Sequence, residues 1–390
     1  MRKLFLLLSF FLYATSPVVA QNRYIDSLLA SIVAYQVAEP DSNYQQGMFP
    51  SQRIYLSRKR PTREDDNIFF TSLIVWTLKT IREELSFKNR QIVDALCEKA
   101  QKNYYRYRNK DGGPAYNFWQ TNPSRHFPNS PYFASRRNYK LPDDLDDTSI
   151  IYLSADFDDS LKAAVKKLIA ENANGVKRTI RNTYKRYKKI PAYSTWFGKN
   201  MPVEFDICVQ ANGLRFVLDN RFQLDKYDSA TIHLLNRMVV SGRYIKHPPY
   251  NAPQYQKASV ILYHMARLVA AHPQYKELYD LKPILVKDAR LQMQKVTNSM
   301  EKVLLQTSLL WLGERDTARI VVSKEDVKGF YFFVANITSV LPNPVKMLFA
   351  GSRKINLFYH SQAYYLTLLL ENEVLQLRSS VLPESGSGTG

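Results

Sequence analysis

Leu141–Ser154 reads LPDDLDDTSIIYLS: a loop closed by proline, a run of acids, then residues that are apolar on nearly every side. Acids favour the first turn of a helix, where they cap exposed amides and offset the helix dipole. Apolar residues all round mark a helix buried on most of its surface. The stretch therefore predicts a buried helix opening at Asp144. Five other segments share its character: Asp65–Ile81, Glu204–Leu218, Gln256–Ala271, Asn298–Leu312 and Tyr359–Leu370. Amphipathic, charge-rich stretches lie between them, at Phe87–Tyr107, Asp159–Asn172, Lys226–Ile245 and Glu277–Val296, with Asn22–Ala38 ahead of the first. Each of these reads as a helix with one wet face.

Buried and half-buried helices thus alternate at intervals of roughly 45–80 residues, a weak internal repeat. The economical packing is a ring of parallel inner helices, covered by outer ones, with the inner N-termini at one shared mouth. The expected fold is all-α, an α/α toroid of about six helical hairpins spanning residues 21–375, with a polar tail at 376–390. The loops feeding the inner helices, at 111–140, 193–200 and 248–255, are rich in aromatic and polar residues and would line that mouth, where ligands bind. Phe330–Asn343 (FYFFVANITSVLPN) has β-like character and reads as a short irregular insert.

Residues 1–20 read as a secretory signal peptide: Arg2 and Lys3, an apolar run Leu4–Tyr13, and small residues at Val18-Val19-Ala20 before a cut at Gln21. The expected location is periplasmic or extracellular. Cys97 and Cys208 are the only cysteines, so this is no disulfide scaffold, and two buried thiols are the expectation. The formal charge is +19. Its densest part, Lys177–Lys189 (KRTIRNTYKRYKK), reads as a solvated face or as a contact with an anionic membrane surface, and export argues against nucleic acid.

Aligning the inner helices puts acids at three N-termini: Asp65 and Asp66; Asp144, Asp146 and Asp147; Glu204 and Asp206. A second D-x-D-D run, Asp156–Asp159, precedes an amphipathic helix that capping explains. The first differs in opening a buried helix and in running on into Thr148-Ser149. Carboxyls crowded this closely cannot all ionise cheaply, so one can stay protonated and act as an acid.

The D-x-D-D-T run and the helix alternation together resemble the terpenoid-cyclase and protein-prenyltransferase toroid superfamily, the run itself being similar to the proton-donating motif of class II terpene cyclases. That resemblance implies acid-initiated cyclisation or isomerisation of an isoprenoid lipid, with Asp146 as donor and Asp144 and Asp147 as supporters. It also implies a pocket whose aromatic faces stabilise carbocations. Candidate liners are Phe118, Trp119, Tyr152, Tyr193, Trp196, Phe197, Tyr263 and Tyr359, with Asp66, Glu204, Asp206 and His360 at the mouth. Asp206-Ile207-Cys208 and Phe358-Tyr359-His360-Ser361 resemble the zinc ligands of protein prenyltransferase β subunits. Their separation puts them across the ring, so no metal and no cofactor is expected. Two other readings stand beside the cyclase: a non-catalytic toroid gripping a lipid or glycan, and a glycan-cleaving α/α barrel drawing an acid and a base from Asp66, Asp146, Glu204 and Asp206.

Overall fold

The computed structural model describes residues 17–54, 62–125, 127, 140–198 and 201–381. Most of the expected signal peptide lies outside the described residues. Pro17 already opens the first helix, α1 (Pro17–Tyr35). Strands β1 (Ser51–Ile54) and β2 (Arg63–Asp65) follow, then α2 (Phe69–Ile81) and α3 (Phe87–Gln101). The chain continues through α4 (Leu145–Ser154), α5 (Asp159–Asn172), α6 (Ile207–Asp219), α7 (Lys226–Val240), and the short α8 (Arg243–Lys246) and α9 (Pro248–Asn251). Next come α10 (Ala258–Ala271), α11 (Lys276–Tyr279), α12 (Lys282–Lys295), α13 (Ser299–Trp311) and α14 (Lys324–Gly329). The last elements are β3 (Phe333–Ala335), α15 (Val345–Phe349), β4 (Leu357–His360) and α16 (Gln362–Val381).

The protein is mostly helical, and each of the six apolar segments is a buried helix. α2 packs on α4, α4 on α6, α6 on α10, α10 on α13, α13 on α16, and α16 back on α2. The N-termini of these helices share one end. Asp144 bridges Trp196 just ahead of α6, the Gln254 amide ahead of α10 donates to Asp206 at the start of α6, and Lys257 pairs with Glu301 of α13 at 2.6 Å. At the opposite end the Arg267 guanidinium of α10 donates to the Thr80 hydroxyl of α2 and Arg215 of α6 donates to the Arg267 carbonyl. Amphipathic helices cover the outside: α1 lies on α16, α3 on α2, α7 on α6, and α12 on both α10 and α13.

An all-α chain was the expectation, but a four-stranded antiparallel sheet, ordered β2–β1–β4–β3, stands at the N-terminal end. Its strands are extended lead-ins of three or four residues, too short to show a period of two in sequence. β2 delivers the chain to α2 and β4 delivers it to α16. The polar tail also begins later than expected. Gln376 is buried and its amide donates to Gln306 and Asn372, so α16 belongs to the core through residue 376 and remains helical to Val381. Among the described residues no helix is long and apolar enough to cross a membrane.

Candidate functional site

A cavity of about 350 Å³ opens at the N-terminal end of the helix cycle. That size is at the small end of ligand cavities, which run roughly 300–1,000 Å³. Its walls carry Phe118 and Trp119 from the segment after α3, Trp196 from the segment before α6, Phe333 of β3 and Tyr359 of β4. Three carboxyls of the same run, Asp144, Asp146 and Asp147, share these walls. The rings pack edge to face and offset: Phe118 stacks on Phe333 at 5.5 Å between centroids, and Tyr359 and Trp119 meet Phe118 edge-on at 5.4 and 5.2 Å. Backbone pairing holds the wall. Asp144 bridges both Tyr116 and Trp196, the Leu145 amide donates to Thr195, and the Ile68 amide donates to Phe118.

The acidic run divides its labour. Asp144 is the N-cap of α4, accepting from the Asp147 amide at 2.8 Å. The Asp144 and Asp147 carboxyls are both buried in the same turn, where burial and mutual repulsion make it costly for both to ionise. Burial and the neighbouring charges of the run push Asp144 up to about 7 and Asp147 well above the usual carboxylate range. Asp147 Oδ1 is buried without a hydrogen-bond partner. Asp146 differs. Burial raises it to about 6, while the Asn212 amide at 2.8 Å and the Tyr255 hydroxyl at 2.5 Å donate to its two oxygens and hold it down. The second D-x-D-D run makes the contrast: Asp156, Asp158 and Asp159 are exposed at the start of α5.

The other expected mouth residues scatter. Asp66 accepts from Gln120 and pairs with Arg125 at 3.3 Å, facing away from the aromatic cavity. Glu204 is fully buried and committed, accepting from Trp196 Nε1, Gln254 Nε2 and Lys346 Nζ at 3.1–3.2 Å. Asp206 caps α6 and receives three backbone amides, those of Cys208, Val209 and Gln254. Neither of these two lines the cavity, though Trp196 and Gln254, which Glu204 positions, do. Tyr263 belongs to the far end of the helix cycle, where its hydroxyl donates to Glu371 at 2.6 Å. Of the other aromatic candidates, Tyr152 stacks on Phe157 and Tyr193 donates to Asp228, both outside the cavity walls.

His360 lines a separate groove, of about 620 Å³, with Arg319, Lys324 and Glu373. Burial lowers its imidazole to about 4, so it is neutral at pH 7. Cys208 is a buried thiol that burial pushes well above its usual range. Among the described residues no group of three or more His, Cys, Asp or Glu side chains could hold a metal ion.

Sequence reasoning missed the residues that hold the acids. Asn212 lies mid-helix in α6 and Tyr255 in the lead-in to α10, 66 and 109 positions from Asp146. Neither sits in a motif. The signal available was two polar groups, Gln210 and Asn212, among the apolar residues of the buried first half of α6, where a buried amide demands a partner. Compared with known protein families and with curated proteins, the chain matches none, so any kinship with the toroid superfamily rests on the acidic run and the helix cycle alone.

Proposed function

We propose that the closed helix cycle is an α/α toroid and that its mouth cavity performs acid-initiated cyclisation or isomerisation of an isoprenoid lipid. The observation that carries this reading is the coincidence, in one aromatic-walled cavity, of two buried neighbouring carboxyls, Asp144 and Asp147, whose proton affinity is raised and a third, Asp146, that receives two hydrogen-bond donors. Two carboxyl environments pushed apart in this way divide acid from base. The proton sits on the Asp144–Asp147 pair. Transfer breaks the carboxyl O–H bond, and the alkene π electrons take the proton to form a C–H bond and a tertiary carbocation. The faces of Phe118, Trp119, Trp196 and Phe333 stabilise that cation. Loss of a proton from a neighbouring carbon to the pair closes the cycle and yields an isomer. Asp146, held as the anion by Asn212 and Tyr255, supplies fixed negative charge beside the cation. This assignment moves the donor from Asp146, where the motif resemblance puts it, to Asp147.

Glycan cleavage is less well supported. It needs two reachable carboxyls on facing walls, whereas the three cavity carboxyls lie within one turn of α4, and Glu204 and Asp206 are spent on Lys346 and on backbone amides.

The test is to incubate the chain from Gln21 with squalene, polyprenyl alcohols and prenyl diphosphates and to read products by mass spectrometry. An isomeric product is expected from the wild type, reduced about 10²–10⁴-fold in Asp147→Asn. Product formation unaffected by either Asp147→Asn or Asp146→Asn would sink the mechanism. Retention of a bound isoprenoid that emerges unchanged would assign the cavity to binding without chemistry.

A further inference from the structure

The exposed apolar side chains of this protein are not evenly spread. Val340, Val345, Met347, Leu348, Phe349 and Ile355 all stand in solvent on one segment that includes α15, with Leu348 77 % exposed. This segment borders the aromatic cavity. Val340, itself 56 % exposed, is one of the cavity's lining residues. Lys346, buried between its exposed neighbours, anchors α15 by donating to Glu204 at 3.1 Å, so the apolar residues are held outward on a fixed base.

The densest basic stretch of the chain is fastened to the same segment. Asn182 Nδ2 donates to the Leu341 carbonyl at 3.2 Å, and Asn343 Nδ2 donates to the Thr183 carbonyl at 3.0 Å. Tyr250 ties the two together, packing on Tyr184 at 4.8 Å and hydrogen-bonding Asn343. Lys185, Arg186, Lys188 and Lys189 are exposed on this stretch. Neither Lys177–Lys189 nor 340–356 contains a single acidic residue. Exposed apolar chains rimmed by cations and free of anions suit one partner chemistry, a bilayer with anionic headgroups: the apolar chains enter the acyl boundary and the cations meet the phosphates. A protein partner would also accept an apolar patch, but such interfaces deplete lysine rather than ring the patch with it.

We infer that the 340–355 segment, with the Lys185–Lys189 rim, docks the mouth of the cavity onto an anionic lipid surface. Docking there would let an apolar ligand pass from the acyl region past Val340 without crossing water. The docking geometry is independent of the chemistry assigned to the cavity.

Co-sedimentation with phosphatidylcholine vesicles, and with the same vesicles containing phosphatidylglycerol, tests this. The full chain from Gln21 is expected to pellet with the anionic vesicles and to be released by salt. Met347→Asp combined with Leu348→Asp lowers the partition roughly tenfold or more. Lys185→Glu with Arg186→Glu lowers it roughly fivefold per residue. All four positions are exposed, so circular dichroism and the melting temperature should be unchanged in both variants. Three results would overturn the inference: a wild type that stays in the supernatant, equal partition onto neutral and anionic vesicles, or variants that bind like the wild type. A dimer seen by light scattering and split by the Met347→Asp, Leu348→Asp pair would assign the patch to a second copy of the chain instead.

Discussion

Asp147 owes its character first to burial and then to the charges of Asp144 and its other neighbours in the acidic run. Asp144 sits three residues back on the same turn, and the helix is buried, so water cannot share the charge. The consequence for stability has a definite sign. Above about pH 4 the folded chain keeps protons that an unfolded carboxyl has released, on Asp146 up to about 6, on Asp144 up to about 7 and on Asp147 well above the usual carboxylate range. Their contribution to stability is full below about pH 4 and is lost as pH rises through each group's raised value, Asp146 first and Asp147 last. Asp147→Asn removes one such group while leaving the Asp144 cap in place. Urea titrations should show the variant more stable than the wild type by about 1–3 kcal/mol at pH 8, with the difference vanishing near pH 4. A variant that is less stable at pH 8 would mean that Asp147 is not held protonated. The presence of a crowded acid run was legible in the sequence, because D-x-D-D spacing crowds charge wherever it occurs. Which run mattered was not legible from spacing, since both copies have it. Burial separates them, and the apolar residues that follow the first run and not the second already mark its helix as the buried one. The roles within the run were also hidden, because Asn212 and Tyr255 reach Asp146 only through the packing of α4, α6 and the lead-in to α10.

The helices themselves declared their faces. Six segments apolar nearly all round became the six helices of the closed cycle, and the amphipathic ones became their cover, because the side-chain pattern that buries a helix is local. Gly213 shows what local pattern cannot say. It stands where α6 crosses the start of α4, and a Cβ there would come within 2.9–3.0 Å of the Leu145 side chain. That close approach brings α6, and with it Asn212, up to the acids. β3 falls inside the 330–343 stretch whose β-like character the sequence does show, whereas β1, β2, β4 and α15 were not legible because each is only three to five residues long. α15 is held by one buried ion pair, Lys346 with Glu204. Lys346→Met should leave Glu204 buried without its cation and cost about 3–5 kcal/mol, read as a drop in the urea midpoint. Because Glu204 also accepts from Trp196 and Gln254, the same variant should loosen the cavity wall and change Trp fluorescence. Unchanged stability would show that the ion pair is replaceable by packing.

Across the whole molecule, aromatic rings and charges fill the axis below the cavity. Tyr255 packs on Phe333, Phe332 and His264, and Phe332 packs on Tyr364. Beneath them Arg267 lies over Trp76 at 4.0 Å and sits 3.8 Å from Glu371, which also accepts from Tyr263 and Trp311. These residues join α2, α10, α13 and α16. Glu371→Leu should strand the Arg267 cation in the interior and cost about 3–5 kcal/mol, while a ligand bound at the mouth should keep its affinity in the variant that remains folded. Loss of affinity in step with stability would show that the two ends are coupled. The filled axis also makes the cavity a blind alley. Among the described residues no passage leads on from the cavity through the helix cycle, so on the proposed reading product and substrate would use the mouth. If the proposed docking and chemistry hold, a lipid altered inside would be returned to the surface it came from, without ever being handed across the protein.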